Sequence, residues 1–265
     1  MAIMQKLLFY VRKYLILLII VFIVIVLAIF YEAGFRVGPD LTLNRVGYLS
    51  VSGLPSGATI YDDTSLLGTS TKTGTQHYEL IAGTYSLIVS VPGDYPWSTT
   101  VAISSAKTSS ISPILVSETL AGKALTGTAA TQALAAIAST TLPTTAKPLA
   151  ISGACATVYV ENNQLIENPV ATASCTPPPY LCIQGSCAPT IVYSPLAPID
   201  AVLPFPGRND SVVILLDHSL YAIALNPASP QFFAPIGHGE KPSAGVLPDG
   251  TIVVSDTGNV SKISL

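Results

Sequence analysis

The sequence predicts a mainly β protein behind a single membrane-spanning helix, and three observations carry that reading. Residues 14–31 read YLILLIIVFIVIVLAIFY, without a charge. Beyond them, apolar residues alternate with Ser and Thr at period two, in short runs separated by Gly, Pro and Asp, which is the pattern of strands and tight turns. Charged residues make up only 10% of the 265 positions and hydrophobic ones 49%, well short of the usual quarter charged. The expected order is an N-terminal transmembrane helix, a small β-sandwich, an Ala/Thr-rich and partly helical linker, and a C-terminal all-β, propeller-like fragment.

Residues 1–13 read as a cytoplasmic tail and 14–31 as the transmembrane helix. An apolar helix rising 1.5 Å per residue needs about 20 residues to cross the hydrocarbon core. Tyr14 and Tyr31 stand where interfacial aromatics belong, and Lys6, Arg12 and Lys13 precede the span while Glu32 follows it. With Arg12 and Lys13 flanking the span, the positive-inside rule puts the N-terminus in the cytoplasm and the bulk of the chain outside it. A cleaved signal would carry an apolar run of about 7–15 residues and a small-x-small site. The run here is longer and ends in AIFYEAGF, so a retained anchor is expected. A buried soluble helix fits less well, because the run is apolar on every face.

Residues 45–117 form the next unit. Leu49 and Val51 share a face, as do Tyr85, Leu87, Val89 and Val91, and again Trp97, Thr99, Val101 and Ile103. Turns are expected at Pro55-Ser56-Gly57, Asp62-Asp63, Ala82-Gly83 and Pro92-Gly93-Asp94. Pro55 fixes φ and ends a strand, Gly57 is free to take a positive φ, and Ala58 re-enters the sheet without bulk. Pro55, Ser56, Gly57 and Ala58 are therefore structural turn residues at a corner between strands. Trp97 with Tyr95 offers an aromatic platform for sugars, but its period-two position favours the core.

Residues 118–150 shift to Ala and Thr and read as a linker; AATQALAAIAS within it favours a short helix, and a helix docked on a β-unit is the alternative. Residues 151–265 return to strands. DSVVILLDHSLYAIAL from Asp210 and DGTIVVSDTGNVSKISL from Asp249 echo one another about forty residues apart, a period shared with propeller blades. A closed ring needs about four blades or more, so a fragment is expected, not a full propeller.

All four cysteines lie beyond the helix, where an even number favours disulfides. Four cysteines allow three pairings. CIQGSC sets Cys182 and Cys187 across a tight loop, which leaves Cys155 for Cys175. Free thiols and a metal site are the alternatives; the latter is weak because no CxxC is present and His77, His218 and His238 are scattered. There is no G-x-S-x-G elbow, P-loop, HExxH or dinucleotide fingerprint. Asp217-His218 and Asp62-Asp63 read as hairpin tips. A net charge of -3 gives no basic stripe for nucleic acid.

Two stretches carry a family resemblance. GYLSVSGLPSGATIYDDTSLLGTST followed by YELIAGTYSLIVSVPGDYPWSTTVAI resembles a PEGA domain, with Ser56 in place of the signature Glu. LPDGTIVVSDTGNVSKI resembles an NHL-type repeat. The whole layout, with Tyr31-Glu32-Ala33-Gly34-Phe35-Arg36 at the junction, ENNQLIEN, FPGRND and LYAIAL, is similar to PEGA-domain surface proteins of candidate-phylum bacteria. The resemblance implies a surface-associated, non-catalytic module. The expectation is a non-enzymatic, single-pass cell-envelope protein without a cofactor. It would meet the lipid bilayer through residues 14–31 and present extracytoplasmic β-domains to an envelope protein or glycan. The alternative is a structural subunit that forms a homo-oligomer through its β-domains.

Overall fold

The computed structural model describes residues 2–37, 42–120, 122–170, 172, 175–183 and 185–265. Side chains are described from Tyr14 onward, so those of Lys6, Arg12 and Lys13 lie outside the described residues. The protein is mainly β and divides into two units: residues up to 54, 72–85 and 101–112 make the first, and 55–71, 86–100 and 113–265 the second.

In chain order, helix α1 (Ala2–Glu32) leads to β1 (Phe35–Val37), β2 (Leu43–Leu54), β3 (Thr59–Asp62), β4 (Ser65–Thr69), β5 (Gly74–Ile81), β6 (Gly83–Ser90), β7 (Asp94–Tyr95), β8 (Trp97–Ile103), β9 (Thr108–Ile111) and β10 (Val116–Ser117). Within α1, Tyr14–Glu32 has a mean hydropathy of 3.3 with nothing buried, so it is long and apolar enough to cross a membrane.

In the first unit β2 is the spine. Its first residues pair antiparallel with β1 and the rest run between β5, antiparallel, and β9, parallel. Leu49, Val51 and Leu54 are fully buried, while Ser50 and Ser52 between them are only partly so, which is the expected alternation of a half-buried strand. The helix stops at Gly34, which takes φ +80°, the left-handed geometry that ends helices and favours glycine.

The second unit contains most of the sheet β4-β3-β6-β8. Ile60, Leu87 and Val89 are fully buried in it and Trp97 is 4% exposed, so Trp97 belongs to the core and offers no sugar platform. The chain continues through β11 (Lys123–Ala124), α2 (Gly127–Ser139), β12 (Leu149–Ile151), β13 (Ala156–Glu161), β14 (Gln164–Pro169), β15 (Cys182–Ile183), β16 (Ser186–Cys187), β17 (Thr190–Tyr193), β18 (Ile199–Pro204), β19 (Ser211–Leu216), β20 (Ser219–Ala224), β21 (Phe233–His238), β22 (Ser243–Val246), β23 (Ile252–Asp256) and β24 (Asn259–Ile263).

These strands make three antiparallel four-stranded sheets: β12-β13-β14-β17, β18-β19-β20-β21, and β22-β23-β24 completed by β11. The sheets do not close into a ring. Each is built around a central hairpin with a two-residue turn at positive φ: Asn162-Asn163, Asp217-His218 and Thr257-Gly258. Two adjacent positive φ values give the turn whose twist matches paired strands. The repeat seen twice in the sequence is therefore present three times. The first two sheets share one core, in which Val158 and Leu165 of the first meet Val212, Ile214 and Ile223 of the second.

Helix α2 packs on the third sheet: Ala133 is buried with Val253 and Val260, and Leu125, Ala130, Ala136 and Ile137 lie against them. Of the two readings of residues 118–150, the docked helix is the one observed. The approach is close because Gly245 of β22 has no side chain. A Cβ there would sit 2.8 Å from the backbone nitrogen of Ile137 and 2.9 Å from the carbonyl carbon of Ala136. Gly245→Ala is expected to cost about 2 kcal/mol, since a methyl group against backbone forces the helix outward. Chemical denaturation of the full chain measures this, and an unchanged midpoint would refute the close-packing account.

Candidate functional site

The three sheets of the C-terminal body bring equivalent loops together. The loop after the first strand of each sheet faces a shared cavity of about 640 Å³. Ile151 and Ser152 come from the first sheet, Phe205, Arg208 and Asn209 from the second, and Val246 and Gly250 from the third. Positive φ at Gly207 and Gly250 lets two of these loops turn within a few residues. Asn209 donates its Nδ2–H to the carbonyl of Gly153 at 3.3 Å, which ties the second loop to the first.

Arg208 reaches both carboxylate oxygens of Asp210, Nε at 2.9 Å and Nη2 at 2.7 Å. This two-pronged pairing offsets its charge within the loop. Ser211 donates to Asp210 Oδ1 at 3.1 Å and fixes the carboxylate further. The cavity therefore offers an apolar wall with a few neutral polar groups and one paired cation. None of the residues lining it is His, Cys, Asp or Glu. Chemically it is equipped to hold a ligand, by apolar contact and a few hydrogen bonds.

Close to Asp210 is a second polar feature. Glu167 of β14 is fully buried and accepts a hydrogen bond from the Tyr180 hydroxyl at 3.2 Å, while its Oε2 is buried without a partner. Burial pushes the Glu167 carboxyl up to about 7, opposed by the Tyr180 hydrogen bond. Burial also raises the Tyr180 hydroxyl, with added push from the negative charges of Glu167 and Asp210.

The residues singled out in the sequence lie elsewhere. Gly57 takes φ +86° in a corner closed by Ala58 N–H to Pro55 carbonyl at 3.4 Å and Gly57 N–H to Ser70 carbonyl at 2.8 Å. Ser56 Oγ donates to the Thr71 carbonyl at 3.2 Å, and Ala58 is fully buried. Cys155 bonds to Cys175 and Cys182 to Cys187. The second pair joins register partners of the β15–β16 hairpin. Tyr14 and Tyr31 are exposed on α1, whereas the side chains of Arg12 and Lys13 lie outside the described residues. None of these residues lines the cavity. FPGRND was visible as a stretch, but the grouping of three loops depends on pairings far apart in the chain.

Pro55 follows β2 and Ala58 precedes β3. Residues 46–118 match the PEGA domain. The match begins at Val46 in β2 and ends just beyond β10, so it leaves β1 outside and stops short of α2. Within this PEGA segment the signature Glu is replaced by Ser56, whose hydroxyl makes a hydrogen bond of the turn itself. No curated protein matches the chain.

Proposed function

We propose that the protein is a non-enzymatic, single-pass cell-envelope protein, with its N-terminus in the cytoplasm and its β-domains held outside the membrane. The C-terminal body then presents a binding surface to an envelope protein or glycan. The observation that carries this reading is the unburied apolar segment Tyr14–Glu32, joined within three residues to the sheet that opens the PEGA match. Two disulfides support an oxidising compartment for everything after the helix. The three meanders with matching hairpin turns support a propeller-like fragment, whose loop-lined cavity is the natural seat for a ligand.

Protease treatment of intact cells carrying a C-terminal tag tests the topology. The tag is expected to disappear without lysis once any outer layer is permeabilised. Protection that persists until the membrane is dissolved would place the β-domains in the cytoplasm and overturn the proposal.

A further inference from the structure

The β1–β2 hairpin leaves the end of α1 with two chemically different faces. Phe35 pairs with Arg45, Arg36 with Asn44 and Val37 with Leu43. Strand alternation therefore puts Phe35, Val37, Leu43 and Arg45 on one face and Arg36 with Asn44 on the other. The Arg36 face is engaged with the protein: Arg36 donates to the Tyr31 carbonyl at 2.9 Å and the Tyr48 hydroxyl at 2.9 Å, and pairs with Glu79 at 3.1 Å.

The other face is different. Val37 and Leu43 are 66% and 61% exposed. Phe35 lies with its ring centroid 5.3 Å from that of Phe30, a residue of the apolar segment Tyr14–Glu32. The first residue of the hairpin's apolar face is thus in ring contact with the last turn of the helix. Arg45 holds its guanidinium 5.1 Å from the Phe35 centroid, so a cation borders the apolar patch. Apolar side chains that end in a stacked cation match the layering of a bilayer interface, hydrocarbon below and phosphate above.

We propose that this face of the β1–β2 hairpin rests on the lipid bilayer, with Val37 and Leu43 entering the interface and Arg45 meeting headgroup phosphates. The proposal rests on membrane anchorage by Tyr14–Glu32, and it makes the hairpin a second, shallow contact that fixes the tilt of the first sheet.

The test uses the full chain in vesicles whose lipids carry brominated acyl chains, which quench tryptophan at contact depth. Trp97 is the single tryptophan and supplies the background. Phe30→Trp reports the anchor and Leu43→Trp the hairpin. Both added tryptophans are expected to lose about half of their emission, as an interfacial side chain should. If Phe30→Trp is quenched and Leu43→Trp is not, the hairpin contact is refuted and the anchor stands. If neither is quenched, the anchor fails and the hairpin contact with it. Adding Arg45→Gln to Leu43→Trp is expected to reduce quenching in anionic phosphatidylglycerol vesicles and leave it unchanged in phosphatidylcholine; equal quenching in both would remove Arg45 from the contact.

Discussion

Gly34→Val is expected to destabilise the first unit by about 4 kcal/mol, from a left-handed backbone that resists a β-branched side chain and an overpacked joint. Gly34 takes φ +80°, and a Cβ there would lie 2.7 Å from the Val46 carbonyl oxygen, 2.8 Å from the Ala106 backbone nitrogen and 2.8 Å from Ser105 Oγ. Those atoms are themselves the fastening of the joint. Val46 N–H donates to the Gly34 carbonyl at 2.7 Å, Ala106 N–H donates to the Val46 carbonyl at 2.8 Å, and Ser105 Oγ donates to the Ala33 carbonyl at 3.0 Å. No side chain at position 34 avoids all three. Hydrogen exchange at the Val46 and Ala106 amides, with the chain in detergent or lipid, measures the loss directly. Protection that matches the wild type would show that the joint is not held as described. Gly34→Ala keeps the clash but relaxes the β-branched strain, and it should fall between the two.

This joint changes how the N-terminal half is understood. A flexible linker would let the first sheet turn freely above a membrane. Here Arg36 lies 3.6 Å from the Tyr31 ring centroid and pairs with Glu79 of β5, so helix end and sheet are cross-braced. The orientation of the first sheet is therefore set by the helix itself.

The sequence made most of the N-terminal half legible because its sheets are buried on one face. Leu49 and Val51 alternate with Ser50 and Ser52, and Leu87 and Val89 are flanked by Ser86 and Ser90, at the period a half-buried strand requires. Alternation gives no help in β19, where SVVILL is buried at every position, so both of its faces are apolar. The third copy of the hairpin repeat was hidden for a different reason: its turn, Asn162-Asn163, lies 55 positions before Asp217-His218, whereas Thr257-Gly258 lies 40 positions after it, so the spacing does not repeat. The two-residue strand β11 carries no local signal, since its place beside β24, Lys123 against Lys262 and Ala124 against Ser261, is fixed by a partner well over a hundred positions away. The cavity inherits the same difficulty. Its loops are individually ordinary, and only the packing of three sheets makes them neighbours. Glu167 was missed because a glutamate in LIENP reads as a surface residue, and carboxylates are rarely buried without a partner.

That carboxyl carries the second large expected effect. Folded, Glu167 is pushed up to about 7; unfolded, it returns to its ordinary value of 4.5. Below pH 4.5 both states hold the proton and the native state has its full advantage. Between these values only the folded state holds it, so stability falls as pH rises, by about 1.4 kcal/mol per pH unit. Above 7 both states are ionised and the advantage, about 3 kcal/mol in total, is gone. Glu167→Gln cannot ionise, yet it keeps an oxygen for the Tyr180 hydroxyl. Its denaturation midpoint should show no such fall, and the difference between wild type and variant, taken from pH 4 to pH 8, isolates this one group from all others that titrate. Parallel curves would mean that Glu167 is ionised in the native state and solvated by water. Tyr180→Phe acts on the same carboxyl. The Tyr180 hydrogen bond favours the charged carboxyl, so removing it leaves burial unopposed. The fall should then extend to higher pH, a displacement that mere loss of packing would not produce.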